Sequence, residues 1–184
     1  VKGGYGPDQP AQVGIEVRGD QFADGIYVVV PILKGTFSDE DWHWDRLERG
    51  LEELRISQPV SRKALSMIAR RIAKKNMIHN GIVYVQVTRG EAPRNHKFPT
   101  TPVAPAMVVT GRHLQMPDDL SQPDMIDVIT GPDERWARPD IKSISLLPNV
   151  LAKQAAAEAG AYESWLINDQ GEITEGSSAN AWIV

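Results

Sequence analysis

The chain has 184 residues, 41% of them hydrophobic and 24% charged, and its formal net charge of −4 at pH 7 argues against broad electrostatic binding to nucleic acid. It contains no cysteine, so disulfide bonds and thiolate catalysis are excluded, and the composition is compatible with the cytoplasm, where we expect the protein to reside. No apolar run approaches the roughly 20 residues that span a bilayer, so we predict no association with a membrane.

The first predicted strand covers residues 26–33, which are apolar and largely β-branched and are bounded by glycine-containing turns. Pro31 falls inside this run and cannot donate a ladder hydrogen bond, which indicates an edge position or a bulge. A helix is predicted next, capped by Ser38 or Asp39. Its leucines at positions 47, 51 and 54 lie on one stripe, so one face of this helix should pack on the strand.

A second helix, two strands and a long loop complete the predicted amino-terminal domain. The helix begins near Ser61, and its apolar positions 65, 68 and 72 recur at helical spacing. The strands cover residues 82–88 and 106–110. The loop between them, residues 89–105, is rich in proline and charge. Loops of this length inside a compact domain tend to carry function.

Residues 117–123, rich in proline and aspartate, predict an interdomain linker. The domains on either side are then residues 1–116 and 124–184. The sequence ends inside an apolar run at 181–184 that is typical of a strand. Because a domain rarely ends in mid-strand, we expect the second domain to be incomplete.

The second domain is predicted to alternate strands with one helix. Strands are expected at 125–130 and 141–144. Pro148 suits the first turn of a helix, and Gly160 suits its carboxyl-terminal cap. A hairpin should then turn at 168–171. The expected fold class is therefore α/β in both domains.

Lys142 and Glu175 are the first candidates for chemistry. Lys142 stands among isoleucines in a predicted strand, where burial favours the neutral, nucleophilic amine. Glu175 lies beside a glycine and two serines. An amine and an acid of this kind suit pyridoxal phosphate (PLP) chemistry. From spacing alone, the ordinary alternatives are a solvent-facing lysine on an edge strand and a glutamate at the end of a hairpin.

The segments that contain these two residues resemble the fold-type IV PLP-dependent enzymes, also called class IV aminotransferases, and within them the D-amino-acid aminotransferases. They read Asp-Ile-Lys-Ser at 140–143 and Thr-Glu-Gly-Ser-Ser-Ala-Asn at 174–180. The resemblance implies a two-domain architecture with PLP between the domains. It also implies that Lys142 forms the Schiff base and acts as the catalytic base, and that Glu175 pairs with the ring nitrogen.

Further cofactor contacts follow from the same resemblance. Arg46 matches the arginine that binds the phosphate, and Arg138 matches an arginine near the cofactor. Ser177 and Ser178 are predicted to donate hydrogen bonds close to it. Each has an ordinary alternative, because arginines form surface ion pairs and serines after glycine are common in turns. The four histidines are dispersed without metal-ligand spacing, so we predict no metal site.

Residues 18–27 and the Pro-Arg-Asn-His segment at 93–96 also resemble the family. The resemblance implies that Tyr27, Arg94 and His96 bind the substrate α-carboxylate. In the family the arginine and histidine come from the partner subunit, which implies a homodimer. The predicted substrates are a D-amino acid and a 2-oxo acid such as 2-oxoglutarate or pyruvate.

Two alternatives stay open at this point. One is another fold-type IV activity, that of a branched-chain L-aminotransferase or an aminodeoxychorismate lyase. The other is a truncated fragment without catalytic activity. Val28 stands where D-aminotransferases usually carry a glutamate, and Pro31 is also unexpected there. The remaining phosphate contacts of the family correspond to positions past residue 184.

Overall fold

A computed structural model describes residues 4–6, 13–115 and 125–182. The chain divides into two compact units, Val1–Gln115 with Ile141–Ile144 and Met116–Asp140 with Ser145–Val184. The predicted linker at 117–123 lies outside the described residues. Our boundary assigned Lys142 to the second domain, whereas the structure groups it with the first unit. The domain boundaries of the protein stay a prediction.

In the first unit, the described residues form a four-stranded antiparallel sheet with the strand order β2-β1-β3-β4. Its elements in chain order are α1 (Arg18–Phe22), β1 (Gly25–Leu33), β2 (Thr36–Phe37), α2 (Glu40–Glu53), α3 (Arg62–Lys75), β3 (Gly81–Thr88) and β4 (Ala106–His113). The predicted strands and helices of this region are all present.

One face of this sheet carries the core of the unit. Val30 and Val85 are fully buried there against Leu47 of α2 and Leu65 of α3. Successive residues of β1 alternate between buried and half-buried, because side chains of a strand point to opposite faces. The apolar run is thus covered on one face only. The opposite face, which includes Tyr27, is half-buried.

Pro31 lies where the edge of β1 is only partly paired. The short strand β2 pairs with Ile32 and Leu33 alone. The carbonyl of Pro31 accepts a hydrogen bond from the Ser38 amide at 2.9 Å, and proline needs to donate none on this side. The expected edge position is wrong, because β1 is an inner strand between β2 and β3, but proline is tolerated because its nitrogen lies on the side of β1 that is only partly paired.

The helix starts differ in how they are capped. Ser61 caps α3, and its hydroxyl accepts a hydrogen bond from the Ala64 amide at 3.3 Å, as predicted. Asp39 occupies the cap position of α2 but makes no side-chain capping bond, and its φ is 50°. Its carboxylate instead accepts a hydrogen bond from the Ser38 hydroxyl at 3.1 Å.

The described residues of the second unit form a three-stranded sheet in the order β5-β6-β7 and one helix. Its elements are β5 (Val128–Pro132), α4 (Leu147–Glu158), β6 (Glu163–Ile167) and β7 (Ile173–Gly176). Strands β5 and β6 are parallel, with α4 between them in the chain, and β6 and β7 form the predicted antiparallel hairpin.

The predicted limits of the second unit's elements are partly confirmed. Pro148 lies in the first turn of α4, and Gly160 follows the helix with φ 75°, a conformation that favours glycine. Strand β5 begins at Val128 and not at the predicted residue 125. Met125, which the prediction placed in the strand, is 96% exposed. Trp182 lies in no strand, and the last two residues of the predicted 181–184 strand lie outside the described residues.

The predicted strand at 141–144 is replaced by a single antiparallel bridge between Ile26 and Ser143. Within the residues that the structure describes, no helix combines the length and apolar content needed to cross a bilayer. The mixed helix-and-sheet architecture agrees with the predicted fold class.

Candidate active site

Lys142 lies beside the amino-terminal end of β1, along the edge that β2 leaves uncovered. The Tyr27 amide donates a hydrogen bond to the Lys142 carbonyl at 3.0 Å, and the Ile144 amide donates one to the Gly25 carbonyl at 3.1 Å. These bonds place the half-buried Lys142 side chain over Tyr27, with Nζ 4.6 Å from the ring centroid. The structure therefore brings together two of the predicted site residues.

A second cation, Arg46, lies half-buried on α2 one helical turn from His43. Its guanidinium is 3.2 Å from His43 Nδ1. Because a guanidinium can only donate, Nδ1 must accept. Burial is the largest cause that lowers the pKa of His43, followed by the charge of Arg46 and then that of Lys142, while Asp39 opposes them. The imidazole is therefore held neutral between two cations.

Lys142 and Arg46 both lack a carboxylate partner among the described residues of their unit. No carboxylate of the described residues in that unit forms an ion pair with Lys142 or Arg46. A half-buried amine and guanidinium without a carboxylate partner favour an anionic ligand. This is the electrostatic character that a phosphorylated aldehyde requires.

The candidate substrate residues Arg94 and His96 lie on the loop between β3 and β4, and both contact Phe22 of α1. The Arg94 guanidinium carbon is 4.8 Å from the centroid of the Phe22 ring, and the His96 ring centroid is 5.2 Å from it. Arg94 also donates a long hydrogen bond to the Gln21 side chain at 3.4 Å. The structure thus places these two predicted residues on one aromatic support.

In the second unit, Glu175 on β7 is held by Arg135. One guanidinium nitrogen of Arg135 donates to Glu175 Oε2, and the others bind Asp133 at 2.9 and 2.8 Å. Thr174 also donates to Asp133, at 2.7 Å. Hydrogen bonds from Arg135 are the largest cause that lowers the pKa of Asp133. One oxygen of the candidate ring-nitrogen partner is therefore fixed by a charged network.

The sequence resemblance pointed to Arg138 and not to Arg135. Arg138 is 49% exposed and forms a two-bond ion pair with Asp140, at 2.9 and 2.8 Å. The two arginines lie three residues apart, and each has an aspartate two residues away, so spacing could not separate them. A cofactor contact for Arg138 stays a prediction.

Ser177 and Ser178 donate to a buried carboxylate, Glu163, that was not among the predicted site residues. Glu163 accepts hydrogen bonds from both hydroxyls, from the Ser178 amide at 3.1 Å and from the Ser164 amide at 2.8 Å. Burial by itself raises the pKa of Glu163, but these bonds together outweigh burial and lower it to about 2. The available signal was a glutamate at the start of a strand whose last three residues are apolar.

The residues present fit PLP. The first unit supplies an amine, Lys142, and an uncompensated guanidinium, Arg46, near one neutral imidazole. The second supplies a carboxylate, Glu175, whose Oε2 is held in place. Among the described residues, no group of three or more histidine, aspartate or glutamate side chains is arranged to hold a metal ion.

Comparison with known proteins identifies the family. The model for the family described as amino-transferase class IV matches residues 25–184. A D-alanine aminotransferase of Staphylococcus epidermidis is 38% identical over 186 residues, which cover all of this chain and 64% of that protein. One of Bacillus licheniformis is 39% identical over 171 residues, covering 93% of this chain and 59% of that protein. The chain thus spans less than two thirds of these relatives.

Solved structures show the same fold at lower identity. The branched-chain amino acid aminotransferase from Escherichia coli has a TM-score of 0.77 and 16% identity, covering 92% of this chain and 57% of that one. A 4-amino-4-deoxychorismate lyase from Pseudomonas aeruginosa has a TM-score of 0.72 and 23% identity, covering 91% and 62%. The predicted fold-type IV architecture is confirmed. The chain belongs to the class IV aminotransferases.

Proposed function

We propose that the protein transfers an amino group between a D-amino acid and a 2-oxo acid such as 2-oxoglutarate or pyruvate. The observation that carries the proposal is the half-buried Lys142 amine over Tyr27, in a unit that leaves Lys142 and Arg46 without a carboxylate partner among its described residues. The names of the relatives, D-alanine aminotransferases at 37–39% identity, favour the D-amino acid.

PLP is the cofactor of class IV aminotransferases. When bound, its aldehyde condenses with amines and its ring withdraws electrons from the substrate α-carbon. Lys142 would take the proton from the α-carbon of the D-amino acid through Nζ, and in the second half of the reaction it would deliver a proton to the α-carbon derived from the 2-oxo acid.

The remaining residues bind and orient. Arg46 would hold the phosphate, because its planar donors bind two oxygens at once. Glu175, with Oε2 held by Arg135, would accept a hydrogen bond from the protonated ring nitrogen. Tyr27, Arg94 and His96 would orient the α-carboxylate, which decides the face of the α-carbon that meets Lys142.

Paired assays of the full-length protein with PLP test the reaction. D-alanine with 2-oxoglutarate is expected to give pyruvate and glutamate at least about tenfold faster than the same concentration of L-alanine reacts. L-leucine with 2-oxoglutarate tests the branched-chain L-aminotransferase, and release of pyruvate from aminodeoxychorismate tests the lyase. Preference for either of these two substrates over D-alanine would contradict the proposal.

We also propose a homodimer. The face of the first sheet opposite its core is incompletely covered, with Val29 and Tyr84 half-buried and Val108 41% exposed. An apolar face of this kind suits a second copy of the chain. The family resemblance adds that Arg94 and His96 act in the partner's site.

Mixing two inactive variants tests this arrangement. Lys142→Ala and Arg94→Met are each expected to be nearly inactive alone. A dimer with one subunit of each kind has one site with both residues intact, so random exchange should restore about a quarter of the wild-type activity. Lys142→Ala mixed with Lys142→Ala, Arg94→Met is the control and stays inactive. No recovery in dimers shown to be mixed would mean that Arg94 serves its own subunit's site.

Three interpretations stay predictions that rest on the sequence. They are the cytoplasmic location, the cofactor contacts of Arg138, Ser177 and Ser178, and the domain boundaries. For the two serines, the hydroxyls donate to Glu163, and this favours a role in shaping the turn after β7.

A further inference from the structure

The loop between β3 and β4, residues 89–105, carries Arg94 and His96 at its tip, residues 94–98. Both side chains contact Phe22 of the short helix α1. We propose that Phe22 and Arg18 of α1 are positioning residues that hold Arg94 and His96 in place for the substrate α-carboxylate. This inference rests on the proposed function, because it takes these two side chains as the carboxylate-binding pair.

The base of the loop is fixed by its backbone. The Arg18 amide donates to the Gly90 carbonyl at 2.9 Å, and the Ala92 amide donates to the Glu16 carbonyl at 3.2 Å. Gly90 has φ 104°, and a Cβ there would lie 2.1 Å from the Ala104 carbonyl oxygen. The base therefore needs no side chain of α1 to keep its path.

The tip of the loop depends on side chains of α1 instead. Arg18 Nη1 donates to the Asn95 carbonyl at 2.6 Å, between the two candidate residues in the chain. The Phe22 ring contacts the guanidinium carbons of Arg18 at 4.7 Å and Arg94 at 4.8 Å, and the His96 ring at 5.2 Å. One ring thus orders both candidate residues and the arginine that binds the backbone between them.

Arg18 is itself held rigidly, which makes it a firm support. It is 3% exposed and donates through Nε to Asp24 at 2.7 Å. Asp24 also accepts from Arg89 at 2.8 and 3.0 Å, and the Arg89 guanidinium carbon lies 3.8 Å from the Phe98 ring centroid. Asp24 therefore fixes both arginines that contact the loop tip: Arg18, which binds the Asn95 carbonyl, and Arg89, which packs on Phe98.

The carboxylate that Arg18 and Arg89 share stays ionised. Burial raises the pKa of Asp24, but hydrogen bonds from Arg89 and Arg18 outweigh it, so the carboxyl stays ionised and its pKa is lowered. Two buried cations share this one carboxylate, and Arg94 adds a third charge nearby. The ion pairs with Asp24 hold Arg18 and Arg89 in place, and through them the backbone of Asn95 and the ring of Phe98.

Phe22→Leu in the full-length, PLP-loaded protein tests the proposal. We expect kcat/KM for D-alanine to fall about 10-fold, since loss of the ring loosens Arg94 and His96. The first half-reaction with D-alaninamide, which lacks the carboxylate, should change less than about twofold. Amide hydrogen exchange in the peptide covering 94–98 should become faster, a readout that does not depend on turnover.

Phe37→Leu is the matched control. Its ring lies 5.1 Å from the Arg70 guanidinium carbon, so the substitution removes an arginine–phenylalanine contact of the same kind far from the loop in sequence. Both the D-alanine to D-alaninamide ratio and the exchange at 94–98 are expected to stay at wild-type values in this variant.

Arg94→Met separates failure of the inference from failure of the proposed function. The ratio of the reaction rate with D-alanine to that with D-alaninamide is compared between variants. If Arg94→Met lowers this ratio while Phe22→Leu changes neither the ratio nor the hydrogen exchange at 94–98, the positioning role is wrong and the proposed function stands. If Phe22→Leu lowers the rates with D-alanine and with D-alaninamide by the same factor, the ring has only a structural role and the inference is overturned. If Arg94→Met itself leaves the ratio unchanged, the carboxylate role of Arg94 is wrong, and the inference falls with it.

Discussion

Replacing Lys142 by alanine is expected to lower steady-state transamination of D-alanine by at least about 10⁴-fold, because the variant lacks both the covalent anchor and the proton-transferring amine. The amine occupies the edge of β1 over Tyr27, where backbone hydrogen bonds on both sides of it fix its approach. Steady-state rates with 2-oxoglutarate measure the loss.

Lys75→Ala on the exposed end of α3 is the matched control and should keep wild-type turnover. Borohydride reduction of the PLP-treated protein, followed by peptide mapping, should label the peptide that contains Lys142 in wild type and in the control. No label should appear there in Lys142→Ala. Normal multiple-turnover activity in Lys142→Ala would show that another group is the base.

Replacing Glu163 by glutamine is expected to lower the free energy of unfolding by about 3 kcal/mol at pH 7. The Glu163 side chain is 2% exposed, and hydrogen bonds from Ser164, Ser177 and Ser178 outweigh its burial and lower its pKa from 4.5 to about 2 in the folded protein. A difference of this size between folded and unfolded states corresponds to about 3 kcal/mol. Urea unfolding at pH 7 measures the change.

The same pKa predicts a pH dependence. Since the folded pKa lies below the unfolded value, the stabilisation from Glu163 is fully present above pH 4.5 and is lost as the pH falls from 4.5 towards 2. Over that window the wild type should lose more stability than Glu163→Gln. Glu158→Gln, at the exposed end of α4, is the control and should change the free energy by less than about 0.5 kcal/mol. Equal pH slopes for wild type and Glu163→Gln would contradict the assignment.

Of the two residues in these predictions, Lys142 could be identified from the sequence and Glu163 could not. Lys142 and Glu175 stand in continuous segments that resemble the family, so their candidacy needed no structure. Glu163 and Arg135 stand in no such segment. Their importance comes from partners 15 and 40 residues away, Ser178 and Glu175 respectively.

The elements of the fold divide in the same way. The stripe of α2, the cap of α3 by Ser61 and the glycine after α4 are local signals, and they predicted those elements correctly. The segment 141–144 looked like a strand because it is apolar, yet it makes one bridge to Ile26. Apolar character does not specify which sheet edge is free to pair.

The sequence by itself identified the family, the candidate lysine and most of the helices and strands, because periodicity, caps and short motifs lie within a few consecutive residues. Only the tertiary structure decided three contacts. Arg135 binds Glu175, Ser177 and Ser178 donate hydrogen bonds to Glu163, and Arg94 and His96 both contact the Phe22 ring. These choices are set by distances between side chains far apart in the chain, and a local pattern carries no information about such distances.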